Sequence, residues 1–120
     1  MSDLRIQIQR RADAPTAREY GCDFRRILPW GRPGPSDTGM GVCTVAPDTA
    51  TTAHSHEDFE HFYVIRGSGY VEVEGVRADI QPGDALVVEG DQVHRFVNTS
   101  TTEDLELLSV WSLGPLGGGS

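Results

Sequence analysis

No stretch of the 120-residue sequence approaches the ~20 consecutive apolar residues that a bilayer-spanning helix needs, so a helical membrane protein is excluded. Positive charge is scarce. Ten basic side chains stand against eighteen acidic ones, and the net charge of -8 repels phosphate backbones and anionic lipid surfaces. No nucleic-acid or membrane partner is expected. Only two cysteines occur, Cys22 and Cys43, and residues 1–15, MSDLRIQIQRRADAP, lack the apolar run of a secretory signal. The expected compartment is therefore cytoplasmic, with both thiols reduced. Internal repeats are absent, which argues against a solenoid. Hydrophobic residues at 38% and charged residues at 23% are ordinary globular usage, and one domain of this size can bury roughly two thirds of its unfolded surface.

What is present is alternation with a period of two. Leu4, Ile6 and Ile8 alternate with Arg5, Gln7 and Gln9, the pattern of a half-buried strand. Further short strands are predicted over 24–28, 40–46, 59–66, 70–74, 76–80, 85–89, 93–98 and 105–111, with Gly75 and Pro82-Gly83 marking turns. Residues 15–21 are expected to form one helical turn, because Thr16 and Glu19 have capping-box spacing, Pro15 precedes them and Gly21 can stop the turn. Residues 29–39, PWGRPGPSDTG, are too rich in Pro and Gly for a sheet and read as a loop. Short strands without a substantial helix give an all-β sandwich or barrel, a single domain over 1–112, with a flexible Gly-rich tail over 113–120.

The chemistry is concentrated in HSHEDFE. On an extended chain His54 and His56 point to one face. Glu60 follows after residues that can turn the chain, and His94 lies in another predicted strand, so three imidazoles and a carboxylate can converge inside a barrel. That set suits one divalent metal ion, Zn, Fe, Mn, Ni or Cu, and leaves one or two coordination positions open. His61 is sent to the face opposite Glu60. Glu57 and Asp58 read as solvated turn acids.

Competing chemistries fail on spacing. His56 and His61 are not an i, i+4 pair on a helix, Gly67-Ser68-Gly69 is not a nucleophile elbow, and Cys43 has no matched histidine and reads as a buried structural thiol. Phe62 and Phe96 share the faces of Glu60 and His94 and are expected to line the barrel. Tyr63, Trp30 and Arg25, with Tyr20, Arg26 and Trp111, are further pocket-wall candidates. An arginine at the mouth, Arg25, Arg26 or Arg32, would select a carboxylate-bearing ligand.

The order and spacing of these residues resemble the cupin family. Its first motif runs Gly, five residues, His-x-His, three or four residues, Glu, six residues, Gly; His54, His56, Glu60 and Gly67 match it. Its second runs Gly, five residues, Pro-x-Gly, two residues, His, three residues, Asn; Gly83, His94 and Asn98 match. Two positions depart: Asp48 stands where the first motif opens on Gly, and Glu89-Gly90-Asp91 stands where the second has Pro-x-Gly. The resemblance implies the double-stranded β-helix, or jelly-roll barrel, of the RmlC-like cupin superfamily, with a metal held by His54, His56, Glu60 and His94.

A narrower block resembles the small zinc cupins of hydrazine-forming natural-product pathways. It comprises Tyr20-Gly21-Cys22, RILPW, HSHEDFEHFYVIRG and the closing SVW, and it implies zinc, N–N bond formation and a synthetase-like partner enzyme. Two classes of function follow. One is a metal-dependent enzyme of secondary metabolism that acts on a small polar substrate by a lyase, isomerase, rearrangement or dioxygenase reaction; the other is a non-catalytic ligand-binding or regulatory cupin. Exposed sheet edges favour pairing through the N-terminal strand, so a homodimer is expected.

Overall fold

Alternating burial builds this molecule. The computed structural model describes residues 6, 8–14, 16–28 and 38–112. Its strands are β1 (Thr16–Glu19), β2 (Cys22–Leu28), β3 (Thr38–Val45), β4 (Phe59–Arg66), β5 (Gly69–Val73), β6 (Val76–Ile80), β7 (Ala85–Val88), β8 (His94–Asn98) and β9 (Leu105–Ser112). A 3-10 turn covers Arg11–Asp13. Along β9, Leu105, Leu107 and Ser109 turn inward while Glu106, Leu108 and Val110 turn outward, and β3, β4 and β8 alternate in the same way.

The strands form two antiparallel sheets, one ordered β1-β2-β3-β9-β4-β7 and the other β6-β5-β8. Val45, Val64, Leu105 and Leu107 from the large sheet pack with Val71, Ile80 and Phe96 from the small one, and this shared core closes a jelly-roll barrel. Residues 49–54 run beside β8. Asn98 N–H donates to the Thr49 carbonyl, Thr51 N–H to the Phe96 carbonyl, and His54 and His94 exchange both backbone bonds. This ladder carries the His-x-His segment to the small sheet, whereas Glu60 belongs to the large one.

Both departures from the motif pattern have a structural account. Asp48 adopts φ +56°, the left-handed conformation for which glycine is the usual choice, and its N–H donates to the Ser100 carbonyl. Aspartate is among the few other residues that tolerate that region. In the second motif, Gly90 lies so close to Glu57 that a Cβ would stand 2.5 Å from the Glu57 carbonyl oxygen, and the next residue, Asp91, donates its N–H to the His56 carbonyl. The substituted turn thus grips the backbone of the first motif.

Three local expectations are corrected. The helical turn expected over 15–21 is not formed at its described residues, 16–21: β1 pairs with β2 from Thr16↔Arg25 to Glu19↔Cys22, and Tyr20 and Gly21, at φ +50° and +78°, make the two-residue hairpin between them. Gly21 therefore turns a hairpin instead of stopping a helix. The expected N-terminal strand is not formed at its described positions, since Ile6 and Ile8 lie in no strand and are 79% and 51% exposed; Leu4 lies outside the described residues. Thr38 and Gly39, read as the end of a loop, open β3. The rest of that loop, 29–37, with Trp30 and Arg32, and the tail 113–120 also lie outside the described residues.

Candidate metal centre

His54, His56, Glu60 and His94 come together at the junction of the two sheets. Each offers one ligand atom, and the four atoms all lie within 4.8 Å of one another. Donors that share an ion lie ~2.1 Å from it, so a modest contraction of this group would make a coordination shell. Among the described residues it is the only such group.

The tautomers are set by the backbone. His54 Nδ1–H donates to the Thr52 carbonyl at 2.8 Å, and His94 Nδ1–H donates to the Gln92 carbonyl at 2.9 Å. Each ring therefore presents a bare Nε2 lone pair, the usual outer support of a metal-bound imidazole. His94 Nε2 is buried without a hydrogen bond and lies 3.4 Å from Glu60 Oε1, another buried acceptor. Two buried acceptors facing each other cost free energy unless a cation or proton lies between them, and the donor set fits a divalent ion.

Glu60 Oε1 also meets His56 Nε2, and Ser109 Oγ–H donates to Glu60 Oε2 at 2.7 Å. Burial opposes ionisation of Glu60, but the bonds from His56 and Ser109 outweigh it and hold the carboxyl well below the usual range. His56 is raised by its bond to Glu60 despite burial, whereas burial lowers His54. Tyr20 stacks on His54 with ring centres 4.1 Å apart and an interplanar angle of 11°.

The cluster opens into a cavity of about 240 Å³. Phe62 and Phe96 line it, as do Tyr20, Arg26 and Trp111. Two proposed wall residues do not. Tyr63 is on the alternate face of β4 and 47% exposed, and Arg25 alternates with the inward Phe24 and Arg26 along β2. Asp58, read as a solvated acid, borders the cavity.

Glu19, Cys22, Phe24, Cys43, Thr51 and Ser109 complete the wall and were not identified from sequence. Ser109 left a signal, a small polar residue at an inward position between Leu107 and Trp111. Room for the aromatic wall comes from β3: a Cβ on Gly39 would collide with the Trp111 ring, and one on Gly41 with the Phe24 ring. Arg26 lies 5.2 Å from the Phe24 ring centre and 5.3 Å from that of Trp111, and is paired to Glu19 at 3.2 Å.

A two-sheet antiparallel barrel with a three-histidine, one-carboxylate cluster facing its interior defines a small jelly-roll protein with a candidate metal centre. The chain belongs to the cupin family: residues 41–111 match the Cupin domain. It is similar to Protein SchB of Streptomyces halstedii, with 33% identity over 117 residues, covering 97% of this chain and 83% of that protein. It is 30% identical over 100 residues to Polyketide synthase CurC of Streptomyces cyaneus, covering 82% of this chain but only 63% of CurC. Among solved structures, the plu4264 protein from Photorhabdus luminescens superimposes with a TM-score of 0.77 at 28% identity, over 91% of this chain and 88% of that one.

Proposed function

We propose that the chain is a divalent-metal-dependent enzyme of secondary metabolism whose substrate turns an oxygen-bearing head toward the ion and a flat, apolar body toward the walls. The observation that carries this reading is the pair of bare, carbonyl-anchored imidazole nitrogens gathered with Glu60 inside an aromatic cavity. His54, His56, Glu60 and His94 would hold the ion, which supplies Lewis-acid polarisation of a substrate oxygen. Ser109 fixes the Glu60 carboxylate. Phe24, Phe62, Phe96 and Trp111 exclude water and pack the substrate body, and Arg26 offers a cation to an anionic head group.

The aromatic walls refine the expectation of a small polar substrate. An enolisable, polyketide-like molecule supplies both oxygen and a planar apolar frame, and the name of CurC points to the same class. Lyase, isomerase or rearrangement chemistry beside a polarised carbonyl suits it. The test is turnover of a panel of β-keto and polyhydroxyaromatic acids by protein purified without added metal, run with and without oxygen. Turnover that a chelator abolishes and one equivalent of metal restores supports the reading. Binding without turnover, unchanged in His56→Ala, would assign a non-catalytic module, and an absolute need for oxygen would assign a dioxygenase.

We also propose a homodimer. Tyr63, Ile65 and Val87 are exposed on the large sheet, and Ile6 and Ile8 project from the N-terminal segment, so a second copy has apolar surface to cover.

A further inference from the structure

Two buried thiols take no part in the proposed metal chemistry. Cys22 on β2 and Cys43 on β3 are 3% and 6% exposed, belong to the same core cluster, and both border the cavity. In the β2–β3 register Phe24 pairs with Cys43, which places Cys22 diagonally across from Cys43. Their sulfurs are 2.8 Å apart. A disulfide bond is ~2.05 Å, so the two sulfurs stand less than an ångström beyond bonding distance. A thiol sealed in a core is inert because reagents do not reach it; here the cavity supplies the route.

We propose that Cys22 and Cys43 form a reversible redox-modification site, a dithiol that a peroxide entering through the cavity closes to an intrachain disulfide joining β2 to β3. The Cys22 thiolate attacks one peroxide oxygen, breaking the O–O bond and leaving a sulfenic acid and, after protonation, water. Cys43 sulfur then attacks the Cys22 sulfur, the S–O bond breaks, and the Cys43 proton leaves with the hydroxide as a second water. Two thiols and one peroxide become one disulfide and two waters, and two electrons pass from sulfur to oxygen. The order follows from the hydrogen bond: Cys43 S–H donates to Cys22 sulfur, which favours the thiolate on Cys22 and pushes Cys43 up. The bond would tie the strand carrying Phe24 and Arg26 to β3, and none of the four candidate metal ligands lies on either strand.

The test treats the purified full chain with equimolar hydrogen peroxide, blocks remaining thiols with N-ethylmaleimide in denaturant, and maps tryptic peptides by mass. The expected product is a peptide pair joined through Cys22 and Cys43, two hydrogens lighter than the free pair, with no maleimide adduct. Dithiothreitol should restore two adducts per chain. Melting should rise by several degrees in the oxidised protein, because the bond constrains the unfolded chain, and neither Cys22→Ser nor Cys43→Ser should show the rise. Two adducts persisting after peroxide, sulfinic acid at either residue without a bridge, a bridge only between chains, or a bridge that lowers the melting temperature would each overturn the proposal.

Discussion

At the scale of single residues, Ser109 tests how the Glu60 carboxylate is held. Its hydroxyl donates to Glu60 Oε2, and it lies beneath the surface on β9. Ser109→Ala is expected to retain the fold and weaken metal affinity ~10- to 100-fold, the usual cost of losing an outer support of a ligand. Competition with a chromogenic chelator measures this, and an unchanged affinity would remove Ser109 from the site. Protons should compete as well. His56 keeps its proton to higher pH than a free imidazole because its N–H donates a hydrogen bond to the Glu60 carboxylate, and a metal must displace that proton, so affinity is expected to fall as pH drops from 7.5 to 6, by up to ~10-fold per unit for each proton displaced. Calorimetry at both values checks the sign. The four candidate ligands were legible in sequence because two share an extended tripeptide and the others follow at family spacing. Ser109 was not, because only strand register reveals what an isolated serine faces, and the same register separates Arg26, on the cavity wall, from Arg25, which points away.

At the scale of elements, the turn at Gly90 couples the two motifs. Gly90→Ala would drive a Cβ against the Glu57 carbonyl and displace the turn whose Asp91 N–H holds the His56 carbonyl. The expected result is a folded protein with weakened metal binding, read by circular dichroism together with chelator competition; full affinity would show that the turn does not position His56. In β9, Leu107 is fully buried among Val45, Val64 and Leu105. Leu107→Ala should cost about 2–5 kcal/mol, seen as a lower urea midpoint. Most strands were readable because alternation with a period of two survives wherever one face is buried. The segment 15–21 was misread because a capping-box spacing and a terminal glycine fit a helix locally, whereas pairing with β2 decides the outcome. The alternation at Ile6 and Ile8 finds no partner strand among the described residues.

At the scale of the whole molecule, the barrel brings candidate ligands from both sheets to one junction, and its outer face leaves Tyr63, Ile65 and Val87 uncovered. Light scattering after size exclusion is expected to give about twice the 13.1 kDa chain mass; a mass near that of one chain would contradict the dimer. Fold class was legible because turn residues punctuate short strands throughout. The aromatic character of the cavity was only partly so, since Phe24 enters it through space left by Gly41. The most direct test of the central claim is metal content by elemental analysis of the protein, His94→Ala and Glu60→Gln, each dialysed against the same trace of zinc. About one equivalent per chain in the parent and a near-complete loss in both variants is the predicted result. An equal content in all three, or no metal in the parent after loading, would contradict it.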